Sequence, residues 1–153
     1  MLGPGDAIPA ARVWTDAREG PVPLVRAISG DRDALLCFYP FDWSPTCTSE
    51  LRLLHDRHDA LDAAGIRAFG VSLDGPWSQR AFAEALGLGE TVTLISDRLA
   101  EASRGFGVLS EWNGLPRAER SAFLVRGDTV VASWSLGSEL PDVAAILDSA
   151  SSS

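Results

Sequence analysis

An α/β fold, with a central mixed β-sheet flanked by helices, is predicted for this 153-residue chain by three observations. Short continuous apolar runs of strand length alternate with segments whose apolar residues recur at helical spacing, the order that builds parallel βαβ units. Late in the chain two further apolar runs flank Arg126-Gly127-Asp128, which reads as an antiparallel hairpin. With 46% hydrophobic and 22% charged residues, the composition is that of an ordinary globular protein, long enough for one domain with a proper core.

Behind an N-terminal stretch that holds one or two strands, residues 34–39 (ALLCFY) form a continuous apolar run ended by Pro40, the pattern of a buried central strand. Residues 45–64 place Leu51, Leu54, His55, His58 and Leu61 three and four apart, with charges elsewhere, so they form an amphipathic helix. Ser44 is its N-cap, Pro45 takes the first helical position, where a missing N–H costs nothing, and Gly65 stops it. Residues 67–72 (RAFGVS) are a second buried strand, 78–86 (SQRAFAEAL) a helix closed by Gly87, 91–96 (TVTLIS) a third strand and 99–104 a short helix. Residues 105–120 contain Gly, Pro and Asn with no sustained period and are expected to be a long loop. Residues 122–125 and 129–134 are the hairpin strands, and 141–147 the last helix. A single domain is expected over residues 1–148, with 149–153 a disordered tail.

The net charge of −8 argues against nucleic acid or an anionic membrane as a partner, because neutralising phosphates needs a basic face. All 13 cationic residues are arginine, which removes every mechanism that needs a lysine amine. No run approaches the roughly 18 apolar residues of a membrane span. The opening MLGPGDAIPA has neither a basic nor an apolar leader region, so a cytoplasmic location is expected. The two cysteines, Cys37 and Cys47, are too few for a disulfide framework and lack the paired spacing of a structural zinc site.

Cys47 falls in the first turn of the helix that starts at Ser44. Backbone N–H groups there have no helical partner and the dipole is positive, so the position favours an anion such as a thiolate. The Ser44 hydroxyl, three residues earlier, can donate to the sulfur or to a substrate oxygen while accepting a backbone N–H. Pro40 offers a ring without an N–H that walls water from the sulfur, and Glu50, one turn on, can orient a cation. Taken singly, each feature has an ordinary structural explanation, since Ser-Pro starts many helices and most lone cysteines are core filler.

The stretch Pro40-x-x-x-Ser44-x-x-Cys47, followed by Thr48 and Glu50, resembles the peroxiredoxin (AhpC/TSA) signature P-x-x-x-T/S-x-x-C, and FYPFDWSPTCTSE is most similar to the bacterioferritin comigratory protein branch. GDAIP near the start, GVSLDGPWSQRAFAEALGL, LISD, GFGV and RSAFLV resemble the family's successive landmarks in order, over nearly the whole chain. The resemblance implies a thioredoxin-like fold and a thiol-dependent peroxidase acting on hydrogen peroxide or organic hydroperoxides. It makes Cys47 the peroxidatic cysteine, with Ser44 where threonine is more usual, Pro40 shielding the pocket and Arg120 the catalytic arginine. Glu50, Trp43 and Tyr39 are expected to support the pocket, and no cofactor or metal is expected. The branch's frequent resolving cysteine would fall on Arg52, and no cysteine follows Cys47. A one-cysteine enzyme is therefore expected, monomeric or homodimeric, regenerated by an external thiol: thioredoxin, glutaredoxin or a low-molecular-weight thiol. Cys37, inside a predicted buried strand, is read as core.

A competing reading takes Trp43-Ser44-Pro45-Thr46-Cys47 as a thioredoxin W-C-x-x-C motif that has lost its attacking sulfur, leaving a thiol-binding or catalytically silent interaction module. Serine cannot replace the nucleophile in thiol exchange. The residues before strand 122–125 are Arg120-Ser121 where a thioredoxin has proline, and a silent domain has no use for Arg120 and Glu50. His55 and His58, with Asp59 and Asp62, have the spacing of metal ligands on a helix, but ordinary amphipathicity gives the same spacing. Of the five tryptophans, most are expected to be core or pocket walls, with Trp43 and Trp112 bordering the site.

Overall fold

The computed structural model describes residues 1–152. Its elements are β1 (Arg12–Val13), β2 (Val22–Pro23), α1 (Leu24–Ala27), β3 (Asp33–Phe38), α2 (Pro45–Asp56), α3 (His58–Ala63), β4 (Ile66–Ser72), α4 (Pro76–Leu86), β5 (Val92–Ser96), α5 (Glu101–Phe106), β6 (Leu109–Trp112), β7 (Leu115–Ala118), β8 (Ser121–Arg126), β9 (Thr129–Ser135) and α6 (Val143–Ser151). Five strands form the central sheet in the order β5-β4-β3-β8-β9. The β5-β4-β3 half is parallel, β8 joins β3 antiparallel, and β9 returns antiparallel beside β8. The sheet is therefore mixed, as expected, with β3 at its centre.

Because side chains alternate across a strand, β3 feeds two cores. Leu36 and Phe38 point to one face, where α1 and α5 supply Leu24, Ala102 and Phe106. Leu35, Cys37 and Tyr39 point to the other, where α2, α4 and α6 supply Leu51, Leu54, Phe82 and Ile146. Gly70, opposite Cys37 in the register, lets α2 approach the sheet closely. A Cβ there would lie 2.9 Å from Leu51 Cδ2 and 2.8 Å from Leu94 Cδ2.

Several boundaries differ from the sequence expectation. The helix expected over 45–64 is two: α2 ends at Asp56 and α3 begins at His58, with Arg57 out of helical geometry between them (φ −101°, ψ 13°). At this break the imidazole of His58 donates from Nδ1 to the His55 carbonyl at 2.7 Å, a local side-chain bond that competes with the helical ladder. The loop expected over 105–120 contains the β6-β7 hairpin, turned by Asn113-Gly114, both at positive φ (50° and 83°), as a two-residue hairpin turn requires. The N-terminal strands β1 and β2 pair with each other in a separate two-stranded sheet. The last helix runs through Ser151, so residues expected to be tail extend α6, and Ser153 lies outside the described residues. No helix among the described residues is long and apolar enough to cross a membrane.

Candidate active site

The candidate site forms where α2 starts and β8 is about to begin. Ser44 is the N-cap of α2, in extended geometry, with Pro45 at the first helical position. Its Oγ accepts the Cys47 N–H at 3.4 Å, and its carbonyl accepts the Thr48 N–H at 2.9 Å. A hydroxyl that accepts there still carries a proton to donate. The cap orients the first turn so that Cys47 faces inward, and the thiol is 0% exposed. Pro40, half-buried, follows directly on the end of the central strand.

Arg120 reaches the same point from the two-residue link between β7 and β8. Its backbone is pinned on both sides: the Glu119 N–H donates to the Val108 carbonyl at 2.8 Å, and the Arg120 carbonyl accepts from Leu136 N–H at 3.0 Å. The side chain is thereby held at a fixed approach. Arg120 Nη2 donates to Cys47 Sγ at 3.2 Å, and Nη1 donates to Glu50 Oε1 at 2.6 Å. Glu50, one turn after Cys47 on α2, is wholly buried, and Arg120 is only 7% exposed. The structure thus brings Cys47, Ser44, Glu50 and Arg120 together.

A guanidinium bridging a sulfur and a carboxylate in a dry site sets the local electrostatics. Burial pushes the Glu50 carboxyl up to about 7, although Arg120 pulls it the other way. Burial also opposes the charge on Arg120, but the bonds to Cys47 and Glu50 outweigh it and hold the guanidinium above its ordinary pKa. Glu50 Oε2 and Arg120 Nε are both buried without a hydrogen-bond partner. That leaves one acceptor and one donor of the cluster open to a further partner.

Tyr39 and Trp43, expected to support the pocket, pack on the helix beside the Cys47 turn. Both pack on Phe82 of α4, with ring centroids 6.4 and 4.9 Å away. Trp43 sits in left-handed backbone (φ 71°) and is 55% exposed. Trp77 and Trp112 are also exposed; Trp14 and Trp134 are half-buried, Trp134 packing against the core and Trp14 walling a cavity. Trp112 meets Phe41 edge-on at 5.7 Å, joining the β6-β7 hairpin to the Cys47 loop.

Sequence reading missed Asp42. It is a buried carboxylate in the turn before α2, accepting from Tyr39 Oη at 2.7 Å and from Ser78 Oγ at 2.7 Å. The signal was a single acidic residue inside the otherwise apolar stretch FYPFDW.

Cys37 is wholly buried in β3 between Gly70 and Ala122 of the flanking strands, and both cysteines are free thiols. Burial, with a smaller push from the Glu50 charge, raises its thiol pKa well above the ordinary value. His55 and His58 stack at 5.8 Å, and their Nδ1 atoms engage Thr91 Oγ1 and the His55 carbonyl. A cavity of about 600 Å³ lies between the 14–18 segment, α4 and β5, lined by Trp14, Arg18, Gln79, Arg80 and Thr93. None of the Cys47 cluster lines it, so volume and charge point to different places. The charge arrangement identifies the candidate active site, since a small substrate at a buried sulfur needs little room.

Comparison with known proteins gives the family and the fold. The AhpC/TSA family model matches residues 4–133. Alkyl hydroperoxide reductase C of Ferdinandcohnia aciditolerans is 33% identical over 109 residues, 69% of this chain and 63% of that protein. The Staphylococcus aureus protein of the same name is 35% identical over 101 residues, 64% of this chain and 52% of its own length. The matched part thus spans from about half to somewhat under two thirds of these curated relatives. Peroxiredoxin 5 from Alvinella pompejana superposes with a TM-score of 0.86 at 18% identity, covering 100% of both chains. Peroxidoxin BcpB from Mycobacterium tuberculosis does so at 0.83 and 23%, covering 99% of this chain and 98% of that one. The fold is the thioredoxin-like fold of these structures, and by its sequence the chain belongs to the AhpC/TSA family of peroxiredoxins.

Proposed function

We propose that this chain is a thiol-dependent peroxidase that reduces hydrogen peroxide or organic hydroperoxides through Cys47. The observation that carries the reading is the Arg120 guanidinium, 3.2 Å from the Cys47 sulfur and 2.6 Å from Glu50 in a buried cluster. Arginine cannot lose its proton, so it stabilises the thiolate without neutralising it, and its fork has further donors for the peroxide oxygens. The thiolate attacks the terminal oxygen of ROOH; the S–O bond forms, the O–O bond breaks, and RO⁻ leaves to take up the proton the thiol had released. The products are Cys47-SOH and ROH. Ser44 donates to the oxygens, Pro40 keeps water from the sulfur, and Glu50 holds Arg120 in place.

The sulfenic acid is returned to thiol by two equivalents of an external thiol, giving water and a disulfide. Cys37 is unsuited to that step, because a protonated thiol buried in a central strand is neither nucleophilic nor mobile. The reductant is thioredoxin, glutaredoxin or a low-molecular-weight thiol. The stretch FYPFDWSPTCTSE supports the bacterioferritin comigratory protein branch, and Arg52 at the place of that branch's frequent resolving cysteine supports the one-cysteine type. It works in the cytoplasm as a monomer or homodimer.

Peroxide loss after mixing with stoichiometric reduced protein tests the reading. Wild type and Cys37→Ser are expected to consume one equivalent and Cys47→Ser none; a Cys47→Ser variant that consumes peroxide as fast as wild type overturns it.

A further inference from the structure

The turn between β3 and α2 carries two features that are costly on their own. Asp42 is a carboxylate only 8% exposed, and among the described residues no arginine forms an ion pair with it. Burying such a group requires full hydrogen bonding. Trp43, next in the chain, is held in left-handed backbone, strained for a large side chain. Such features persist only where their surroundings over-determine them, and here they immediately precede the Ser44 cap.

The surroundings form a continuous network. Asp42 Oδ1 accepts from the Tyr39 hydroxyl and Oδ2 from Ser78 in the first turn of α4. Its backbone N–H donates to Asp74 Oδ2 at 2.8 Å, the oxygen that also accepts from Ser72 Oγ at 2.8 Å. Gln79 Nε2 then donates to Ser72 Oγ at 3.0 Å and to the Ile95 carbonyl at 2.8 Å. Trp43 adds its ring against Phe82 of the same helix. Asp42 hydrogen-bonds neither Cys47 nor Arg120. Its bonds act on the chain that leads into their helix.

We infer that Asp42 is a positioning residue: its bonds to Tyr39, at the end of β3, and to Ser78 of α4 fasten the Cys47 turn to the sheet and to that helix, so that the Ser44 cap holds the sulfur against Arg120. Releasing that fastening has two consequences of opposite sign. The buried thiol becomes reachable by a reagent from solvent, while its distance to Arg120 is no longer fixed and its reaction with peroxide slows. The inference rests on the peroxidase reading for the second consequence only.

The test is iodoacetamide labelling of reduced protein, with adducts at Cys47 and Cys37 resolved by peptide mass, run beside stopped-flow oxidation by hydrogen peroxide. Asp42→Ala is expected to label at Cys47 about tenfold faster and to react with peroxide about tenfold slower, the scale of losing buried hydrogen-bond partners. Cys37 stays unlabelled because β3 stays folded. Ser78→Ala, the milder change, moves both rates in the same directions by less, and Asp42→Ala with Ser78→Ala is no worse than Asp42→Ala alone. Asp42→Asn, which keeps an acceptor for Tyr39, restores part of the loss. Unchanged Cys47 labelling in both single variants overturns the inference, as does labelling of Cys37 in parallel with Cys47, which assigns the bonds to overall stability. Should wild type itself not react with peroxide, the proposed function fails while the labelling ratio still decides whether Asp42 fastens the turn.

Discussion

Cys37 and Cys47 lie ten residues apart in the chain, in the same apolar cluster, and both are wholly shielded from solvent. Their chemistry is set apart by what the fold aims at each. Cys37 sits mid-strand between Gly70 and Ala122, where burial holds the thiol protonated. Cys47 sits in the first turn of α2, with a capped N-terminus beneath it and Arg120 Nη2 at 3.2 Å. Burial alone makes a cysteine inert; a fixed cation and a helix N-terminus beside it are the surroundings on which the proposed role of Cys47 as nucleophile rests.

The strongest way to break that contrast is to remove the fork of Arg120 while keeping its charge. Lysine cannot bridge the sulfur and Glu50 as two directed bonds do, so Arg120→Lys is expected to slow peroxide oxidation about 100-fold or more, the scale of losing a preorganised donor. Stopped-flow measurement with hydrogen peroxide reads this directly, and an unchanged rate removes Arg120 from the site.

A smaller effect sharpens the electrostatic half of the comparison. Burial raises Glu50 from its ordinary 4.5 to about 7. Below about 4.5 it is neutral folded and unfolded alike; between the two values the unfolded chain releases the proton and the folded chain keeps it. Stability from this group is therefore fully present at low pH and lost as pH rises through 7. Glu50→Gln removes the effect, so the variant gains on wild type by up to about 3 kcal/mol between pH 4 and pH 8. Asp42, pushed up to about 6 by its burial, titrates in both proteins and cancels. Urea unfolding at the two pH values checks it; identical pH dependence for both proteins contradicts a buried, titrating Glu50.

Much of this was legible in the sequence because local chemistry and tertiary structure agree. Continuous apolar runs gave β3, β4 and β5, Ser44-Pro45 gave the start of α2, and Gly87 in left-handed geometry (φ 65°) ended α4 as read. The break at Arg57 was not legible, since the apolar spacing runs through it to Leu61. The β6-β7 hairpin had its signal, Asn113-Gly114, but Pro116 within the following strand masked the alternation that flanks such a turn. At the site, Cys47, Ser44, Glu50 and Arg120 were readable from motif and helical spacing, although 70 residues separate Glu50 from Arg120. Asp42 was not, because its partners Ser78 and Asp74, 36 and 32 residues away in the chain, reach it only in the folded protein.

The difference between the two cysteines is tested most directly by trapping the oxidised sulfur. Reduced protein treated with one equivalent of hydrogen peroxide in the presence of dimedone, then digested and analysed by peptide mass, is predicted to carry the sulfenic acid adduct on Cys47 and none on Cys37. An adduct on Cys37, or peroxide consumed with no adduct on Cys47, would contradict the account.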